Sequence, residues 1–253
     1  MQFIVLAILT INIILILLFV AHKVRRIHQM SYVILDHAQV ARTEAEAVYS
    51  QVQAYLALDK ILTPSKPLPP MRGWAGSPDF LLVIAQHILE QKPATVVECS
   101  SGVSTVVSAR CMQINGAGHV YSLEHDSVYA QKTRDLIEYH GLTDWATVID
   151  APLVSVAGNG TPRYSLNNFP EKISEIDVLI VDGPPAASSV LARYPALPKL
   201  ISRMARNATI FLDDANRPDE KLIVQRWVEE NIDFEANHIY CEKGLTVLQR
   251  RQT

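Results

Sequence analysis

"VVECSSGVST", residues Val96–Thr105, reads as a buried strand ending in an acid, then a Ser/Gly turn, then the start of a helix. A strand–turn–helix unit of this kind opens the nucleotide-binding α/β folds, where the turn after the first strand meets the ligand. A dinucleotide would call for G-x-G-x-x-G, so that the backbone can approach a pyrophosphate. This turn offers Ser100, Ser101 and one glycine, Gly102, and the carboxylate of Glu98 beside them would repel phosphate. The charge suits a ligand that carries a cation.

Downstream, short β-rich runs alternate with helical stretches. The strands expected are "ATVVEC", "HVYSLE", "ATVID", "DVLIVD", "ATIFLD", "FEANHIY" and "LTVLQR". Helices are expected over Val103–Gln113, Ser127–His140, Ala196–Ala205 and Pro218–Asn231, and another opens at Ser77 and Pro78, a cap followed by a first-turn proline. This alternation predicts a Rossmann-like α/β sheet, mostly parallel with helices on both faces. Only "CEKG" separates the last two runs, so they should form a hairpin and give one antiparallel strand at the sheet's edge.

Five runs end in or beside an acid: Glu98, Glu124, Asp150, Asp182 and the Asp213–Asp214 pair. Any one of these could be a turn former. As a series they line the carboxyl ends of the strands, where open α/β sheets bind ligands. S-adenosylmethionine (SAM) matches their charge, with a cationic sulfonium, an ammonium group, a ribose diol and no phosphate. An acid at the first turn suits the ammonium. An acid after the second strand can accept both ribose hydroxyls, and Glu124 stands 26 residues beyond Glu98, one strand–helix–strand step on.

Five segments in this order, "VVECSSGVST", "VYSLEHD", "ATVIDAPL", "IDVLIVDGPP" with "RYPALP", and "ATIFLDDANR", resemble the class I SAM-dependent methyltransferases, in their small-molecule O-methyltransferase-like branch. The resemblance covers about Trp74 to Arg250. It implies that Glu98, Ser100, Gly102 and Ser104 surround the amino-acid end of SAM, that Glu124 with His125 holds the ribose, and that Asp150 and Ala151 border the adenine, with Asp182 close to the cofactor. Ser100 departs from the pattern, which usually has glycine there. Metal-dependent, catechol O-methyltransferase-like members carry an acid trio similar to Asp182, Asp213 and Asp214, with Asn in the third place. The resemblance therefore implies Mg²⁺, or Mn²⁺ or Ca²⁺, on oxygen ligands. The lysine those enzymes place after the first metal acid is replaced by "GPP", leaving Asp182, His125 and Arg193 as the catalytic candidates.

Ahead of this domain, Phe3–Ala21 is 19 residues without a charge, roughly 28 Å as a helix and enough for a bilayer core. A cleaved signal peptide would carry basic residues before the apolar run; here Lys23, Arg25 and Arg26 follow it, which favours an uncleaved anchor with the remainder cytoplasmic. Residues 23–62 read as a helical stalk. Its apolar positions Ile34, Ala38, Ala41, Ala45, Val48, Val52, Tyr55 and Leu62 could pair two copies or lie along another surface. "TPSKPLPP" begins a linker over 63–76, and the enzyme domain is expected over 77–253.

A net charge of −3 gives no basic face for nucleic acid, and three scattered cysteines without a CxxC pair suggest free thiols. The expectation is a single-pass, membrane-anchored O-methyltransferase acting on a small-molecule, saccharide-type or lipid-linked acceptor. Two alternatives stand beside it. One is a non-catalytic membrane scaffold on the same fold, favoured by Ser100 and the missing lysine. The other is aminopropyl transfer from decarboxylated SAM, to which Glu98 is poorly suited.

Overall fold

The computed structural model describes residues 2–156 and 160–251. The chain divides into two units, Met1–Ser50 and Gln51–Thr253. The first is helical throughout its described residues and belongs to helix α1, Gln2–Leu62. This helix is long and apolar enough to cross a membrane, and none of its most apolar window is buried within the protein. Ile34, Val48 and Val52 of the expected pairing seam are likewise exposed.

The second unit opens with the last turns of α1, and here the seam changes use. Leu58 and Leu62 are fully buried in the same core as Phe80, Leu81 and Ile84 of helix α2, Pro78–Gln91, with Tyr55 packed against it. Gln51 Nε2 donates to Asp79 Oδ2 at 2.8 Å and fixes the approach of the two helices. Leu62 therefore serves the body's core and is not available to pair with a second copy. Helix α2 starts at Pro78 as expected, but Ser77 forms no side-chain cap bond; its hydroxyl is buried without a partner.

The body is a seven-stranded sheet. In chain order its elements are β1 (Thr95–Cys99), α3 (Val103–Asn115), β2 (His119–Glu124), α4 (Ser127–Tyr139), β3 (Ala146–Asp150), β4 (Leu153–Val156), β5 (Gly160–Tyr164), β6 (Ile176–Val181), α5 (Ala196–Leu200), β7 (Met204–Asp213), α6 (Pro218–Glu230), β8 (Phe234–Ile239) and β9 (Leu245–Arg250). The spatial order is β3-β2-β1-β6-β7-β9-β8, and only β9 runs antiparallel to its neighbours. This is the mostly parallel Rossmann-like sheet expected, with the direction of winding reversing between β1 and β6.

Alternation across the strands builds a core on each face. Val178 and Ile180 of β6 face the core of α2 and α3, whereas Leu179 and Val181 join Trp227 of α6 in the other. Val96 and Val97 of β1 divide the same way. Both faces of the central strands are thus apolar, as the unbroken hydrophobic runs require.

Three details differ from expectation. The antiparallel strand β9 lies one place in from the edge, and β8 is the edge strand. Burial explains it: Leu245–Leu248 of β9 are buried, while Glu235–His238 of β8 are exposed and suit an edge. The helix expected over Ala196–Ala205 ends at Leu200, followed by a 3₁₀ turn, because Met204 pairs with Ile176 and already belongs to β7. Finally, β4 and β5 form a separate antiparallel pair, with Leu153 opposite Tyr164. The connection between them, 157–159, lies outside the described residues.

The buried end of α1 makes a direct prediction. Leu58→Ala should lower the body's unfolding free energy by about 2–5 kcal/mol, whereas Leu56→Ala, 60% exposed, should change it by no more than about 0.5 kcal/mol. Denaturant unfolding of the two variants followed by tryptophan fluorescence checks this; equal effects would mean that the end of α1 is not part of the core.

Candidate active site

The turn after β1 adopts the shape that its glycine-poor sequence makes unusual. Ser100 has φ 113° and Gly102 φ 149°, and the amide of Ser100 donates to the Leu123 carbonyl at 3.0 Å. A side chain at positive φ is strained, and such strain persists where the surrounding structure holds the conformation. Space for the Ser100 side chain comes from across the sheet. A Cβ on Gly183 would lie 3.0 Å from Ser100 Cβ and 2.7 Å from the Tyr164 hydroxyl, so glycine at 183 is what lets these two groups fit. Over Gly102, by contrast, an added Cβ would meet nothing within 4 Å. The turn is open on its ligand side.

Glu98 is fully buried. Its position in β1 points it toward α3, where Oε2 accepts from Thr105 Oγ1 at 2.6 Å and from Ser122 Oγ at 2.8 Å, while Oε1 has no partner. Thr105 Oγ1 in turn accepts from the amide of Gly102 at 3.0 Å. Burial pushes the Glu98 carboxyl up, and the hydroxyls of Ser104, Thr105 and Ser122 oppose the rise. Ser104 is buried in the first turn of α3.

Glu124, at the end of β2, is 4% exposed. Its Oε2 accepts from Ser101 Oγ at 2.9 Å, and Oε1 accepts from the amides of His125 and Asp126 at 2.9 and 3.1 Å. A carboxylate offers about four acceptor directions, so this one is held rigidly with capacity left on Oε2. His125 Nδ1 lies 3.0 Å from Oε1 but is not aligned for a hydrogen bond, and its ring meets Tyr164 edge-on at 6.1 Å. The amide of Ala151 donates to the Glu124 carbonyl at 2.7 Å, which brings the end of β3 alongside. Asp150 pairs outward with Arg134 at 2.8 Å.

The unpartnered Glu98 oxygen, the open face over Gly102 and the fixed carboxylate of Glu124 fit SAM, whose binding would place a cation and a diol at these groups.

The second acid group forms around Arg193. Ligand oxygens of Asp182, Asp213 and Asp214 lie within 4.8 Å of one another. Arg193 Nη2 donates to Asp214 Oδ2 at 2.6 Å and to the Asp182 carbonyl at 3.0 Å, and stands 3.4 Å from Asp182 Oδ1; Nη1 donates to the Asp213 carbonyl at 2.9 Å. Arg217 reaches Asp214 Oδ2 at 2.8 Å, and Glu220 lies 3.8 Å from both arginines. The place a divalent ion would take between Asp182 and Asp214 is thus filled by a guanidinium. Asp213 is fully buried with both oxygens unpartnered. As folded, a metal ion at this trio would have to displace Arg193 from Asp214.

Charge in the cluster adjusts by protonation. Burial opposes the Arg193 charge, but Asp182, Asp214, Glu220 and Asp213 together outweigh it and hold the group cationic. Burial first, and then the neighbouring charge of Asp213, pushes Asp182 well above the usual carboxylate range; burial and the charge of Asp214 push Asp213 up in the same way. Both groups therefore favour the protonated form more than a free carboxyl does.

Residues that the sequence left unassigned complete this region: Thr105 and Ser122 under Glu98, Ser101 on Glu124, Glu220 in the arginine cluster, and Tyr164. Tyr164 is 6% exposed, its hydroxyl has no partner, and burial raises its pKa well above the ordinary tyrosine value, so it keeps its proton. The sequence signal for Tyr164 is "NG" at Asn159–Gly160, a hairpin mark.

Comparison with known proteins agrees with this geometry. Residues 97–215 match a protein-family model described as a methyltransferase domain. The strand order is that of a Rossmann-like methyltransferase fold. Similar solved structures include an O-methyltransferase from Bacillus cereus in complex with S-adenosylhomocysteine, 16% identical, covering 80% of this chain and 91% of that one with a TM-score of 0.53. Another is the SAM-bound O-methyltransferase of tomaymycin synthesis from Streptomyces achromogenes, 13% identical, with coverage of 82% and 96% and a TM-score of 0.54. A third is the S-adenosylhomocysteine-bound methyltransferase from Podospora anserina, 12% identical, with coverage of 85% and 96% and a TM-score of 0.54. At these identities the likeness is one of fold. No curated protein sequence matches.

The raised carboxyls make stability depend on pH in a definite direction. A carboxyl whose folded pKa lies above its unfolded value binds more protons when folded, so its stabilisation is full at low pH and is lost as pH rises through the folded value. Asp213→Asn removes one such group and mimics its protonated form. From about pH 4 to about pH 8 the variant should therefore gain stability relative to the parent chain. Parallel urea titrations across that range test it, and a difference that stays constant or shrinks with pH would show that Asp213 is not held protonated.

Proposed function

We propose that this protein is a membrane-anchored methyltransferase that transfers the methyl group of SAM to a hydroxyl oxygen of a small-molecule or lipid-linked acceptor. The observation that carries the reading is positional. The residues matching the methyltransferase domain, 97–215, contain the Ser100–Gly102 turn, Glu124, and the Asp182–Asp213–Asp214 group, all at the carboxyl ends of adjacent strands.

SAM supplies an electrophilic methyl on a positively charged sulfur, and attack by the acceptor oxygen breaks the carbon–sulfur bond as the charge is neutralised. The chain's own residues position and deprotonate. Glu98 and the turn receive the amino-acid end, and Glu124, locked by Ser101 and two amides, receives the ribose. Asp182, at the end of β6 and less deeply buried than Asp213, takes the proton from the acceptor hydroxyl in its ionised form. Tyr164 stays protonated beside Gly183 and orients the acceptor. Holding the two reactants in line supplies most of the rate. Both terminal nitrogens of Arg193 are engaged by acids and backbone carbonyls, so its role is to set the geometry of Asp182. The metal-assisted version of this reaction would require a divalent ion to displace Arg193 from Asp214.

The first unit supports a membrane location through its exposed, uncharged stretch Phe3–Ala21, and Lys23, Arg25 and Arg26 favour a cytoplasmic active site. Pairing of two copies along the exposed part of α1, from Ile34 to Val52, accompanies this reading.

Calorimetry with SAM tests the cofactor. Glu124→Ala should weaken SAM binding by about 1.5–3 kcal/mol, the range of charge-assisted hydrogen bonds, and any turnover should persist in excess EDTA. No heat and no thermal shift at millimolar SAM would remove the assignment. The anchor is tested separately by fractionation: the full chain should stay with membranes through carbonate washing, and a C-terminal tag should resist protease in intact cells. Release by carbonate, or digestion of the tag in intact cells, would overturn the placement.

A further inference from the structure

Beside the cofactor turn lies a pocket of about 320 Å³, its open mouth included. The carboxyl ends of β1 and β2 contribute Cys99 and Leu123 to its wall, Leu166 follows the β4–β5 pair, and Pro195 and Leu200 come from the region of α5. That lining is apolar. Three cationic side chains also border it: Arg163, Arg193 and Lys199. Arg193 is already neutralised by Asp182 and Asp214. Arg163 and Lys199 are different: among the described residues neither forms an ion pair or a side-chain hydrogen bond. The pocket wall also holds Tyr164, more than nine-tenths buried, with a protonated hydroxyl that no residue satisfies.

We infer that this pocket receives an acceptor with an apolar body and an anionic carboxylate or phosphate group, read by Arg163 and Lys199, with the Tyr164 hydroxyl donating to an acceptor oxygen. The inference rests on the methyltransferase reading, since it assigns the pocket to the molecule methylated. An apolar cleft with a few convergent polar groups is the usual form of a small-molecule site. The guanidinium of Arg163 can grip a carboxylate or phosphate through two parallel bonds, and Lys199 adds a point charge at the exposed rim. Arg163 and Tyr164, successive residues of β5, both line the cleft, with the tyrosine hydroxyl next to Gly183. The acids beneath are paired with Arg193 and Arg217, so they do not cancel the attraction.

The test uses the full chain in detergent micelles saturated with S-adenosylhomocysteine, titrated with phenyl phosphate, benzoate and the neutral benzamide. Phenyl phosphate and benzoate should bind and benzamide should not. The double variant Arg163→Gln/Lys199→Gln should weaken the anions by about tenfold or more while leaving affinity for S-adenosylhomocysteine unchanged. Repeating the titration with phosphatidylglycerol in the micelles separates the sources of the anion: lowered apparent affinity for phenyl phosphate identifies a lipid headgroup as a competitor, and unchanged affinity identifies a soluble acid. Equal binding of benzamide and benzoate, or no loss in the double variant, overturns the inference and leaves the cofactor reading intact. Failure to bind S-adenosylhomocysteine at all brings down that reading, and the acceptor role of the pocket with it.

Discussion

The side chain of Arg193 holds together the region where chemistry would occur. Two of its nitrogens bond the carbonyls of Asp182 and Asp213, the residues at the ends of β6 and β7, and one of them also meets Asp214. These strands are neighbours at the centre of the sheet, and beyond their ends the chain must turn sharply. Asp214 itself adopts φ 58°, a conformation a non-glycine residue holds only when its surroundings fix it. A buried guanidinium is costly to desolvate, and its attraction to the surrounding acids offsets that cost. Removing it would leave uncompensated carboxylates in a dry site. Nothing else in the cluster satisfies backbone and side chains together.

Glu98 has a comparable role on β1, with the opposite sign. It joins β1 to α3 through Thr105 and to β2 through Ser122, and Thr105 passes the constraint on to the Gly102 amide. The turn that faces the cofactor is thus shaped from below by a buried acid and from the side by Gly183, which leaves room for Ser100. A serine where a glycine is usual is tolerated because the crowding is relieved at position 183. The departure from the family pattern does not close the turn.

Much of this is legible in the sequence for physical reasons. The parallel strands are buried on both faces, so they read as continuous apolar runs, and their acids fall in register because each strand ends at the same edge of the sheet. Partnership is what a linear reading lacks. The sequence places Arg193 near the acceptor, yet its role depends on acids up to 27 residues away. The β4–β5 pair leaves little trace because its strands are short and carry little apolar alternation. The end of α1 reads as stalk because its apolar spacing continues without a break into Leu62; periodicity shows that a face is apolar, not which surface covers it.

The separation of roles along the sheet gives the pocket its chemical logic. Glu98, the Ser100–Gly102 turn and Glu124 lie at the ends of β1 and β2, the acid group around Arg193 at the ends of β6 and β7, and the cleft lined by Cys99, Leu123 and Tyr164 lies beside the first of these. An oxygen nucleophile must lose its proton as it meets a cationic sulfur, so a base and a cation have to stand on opposite sides of it without neutralising each other. Arg193 makes that separation stable. By bonding Asp214, Asp182 and the strand-end carbonyls it is itself neutralised, and it leaves Arg163 and Lys199, on other elements, to face an incoming anion.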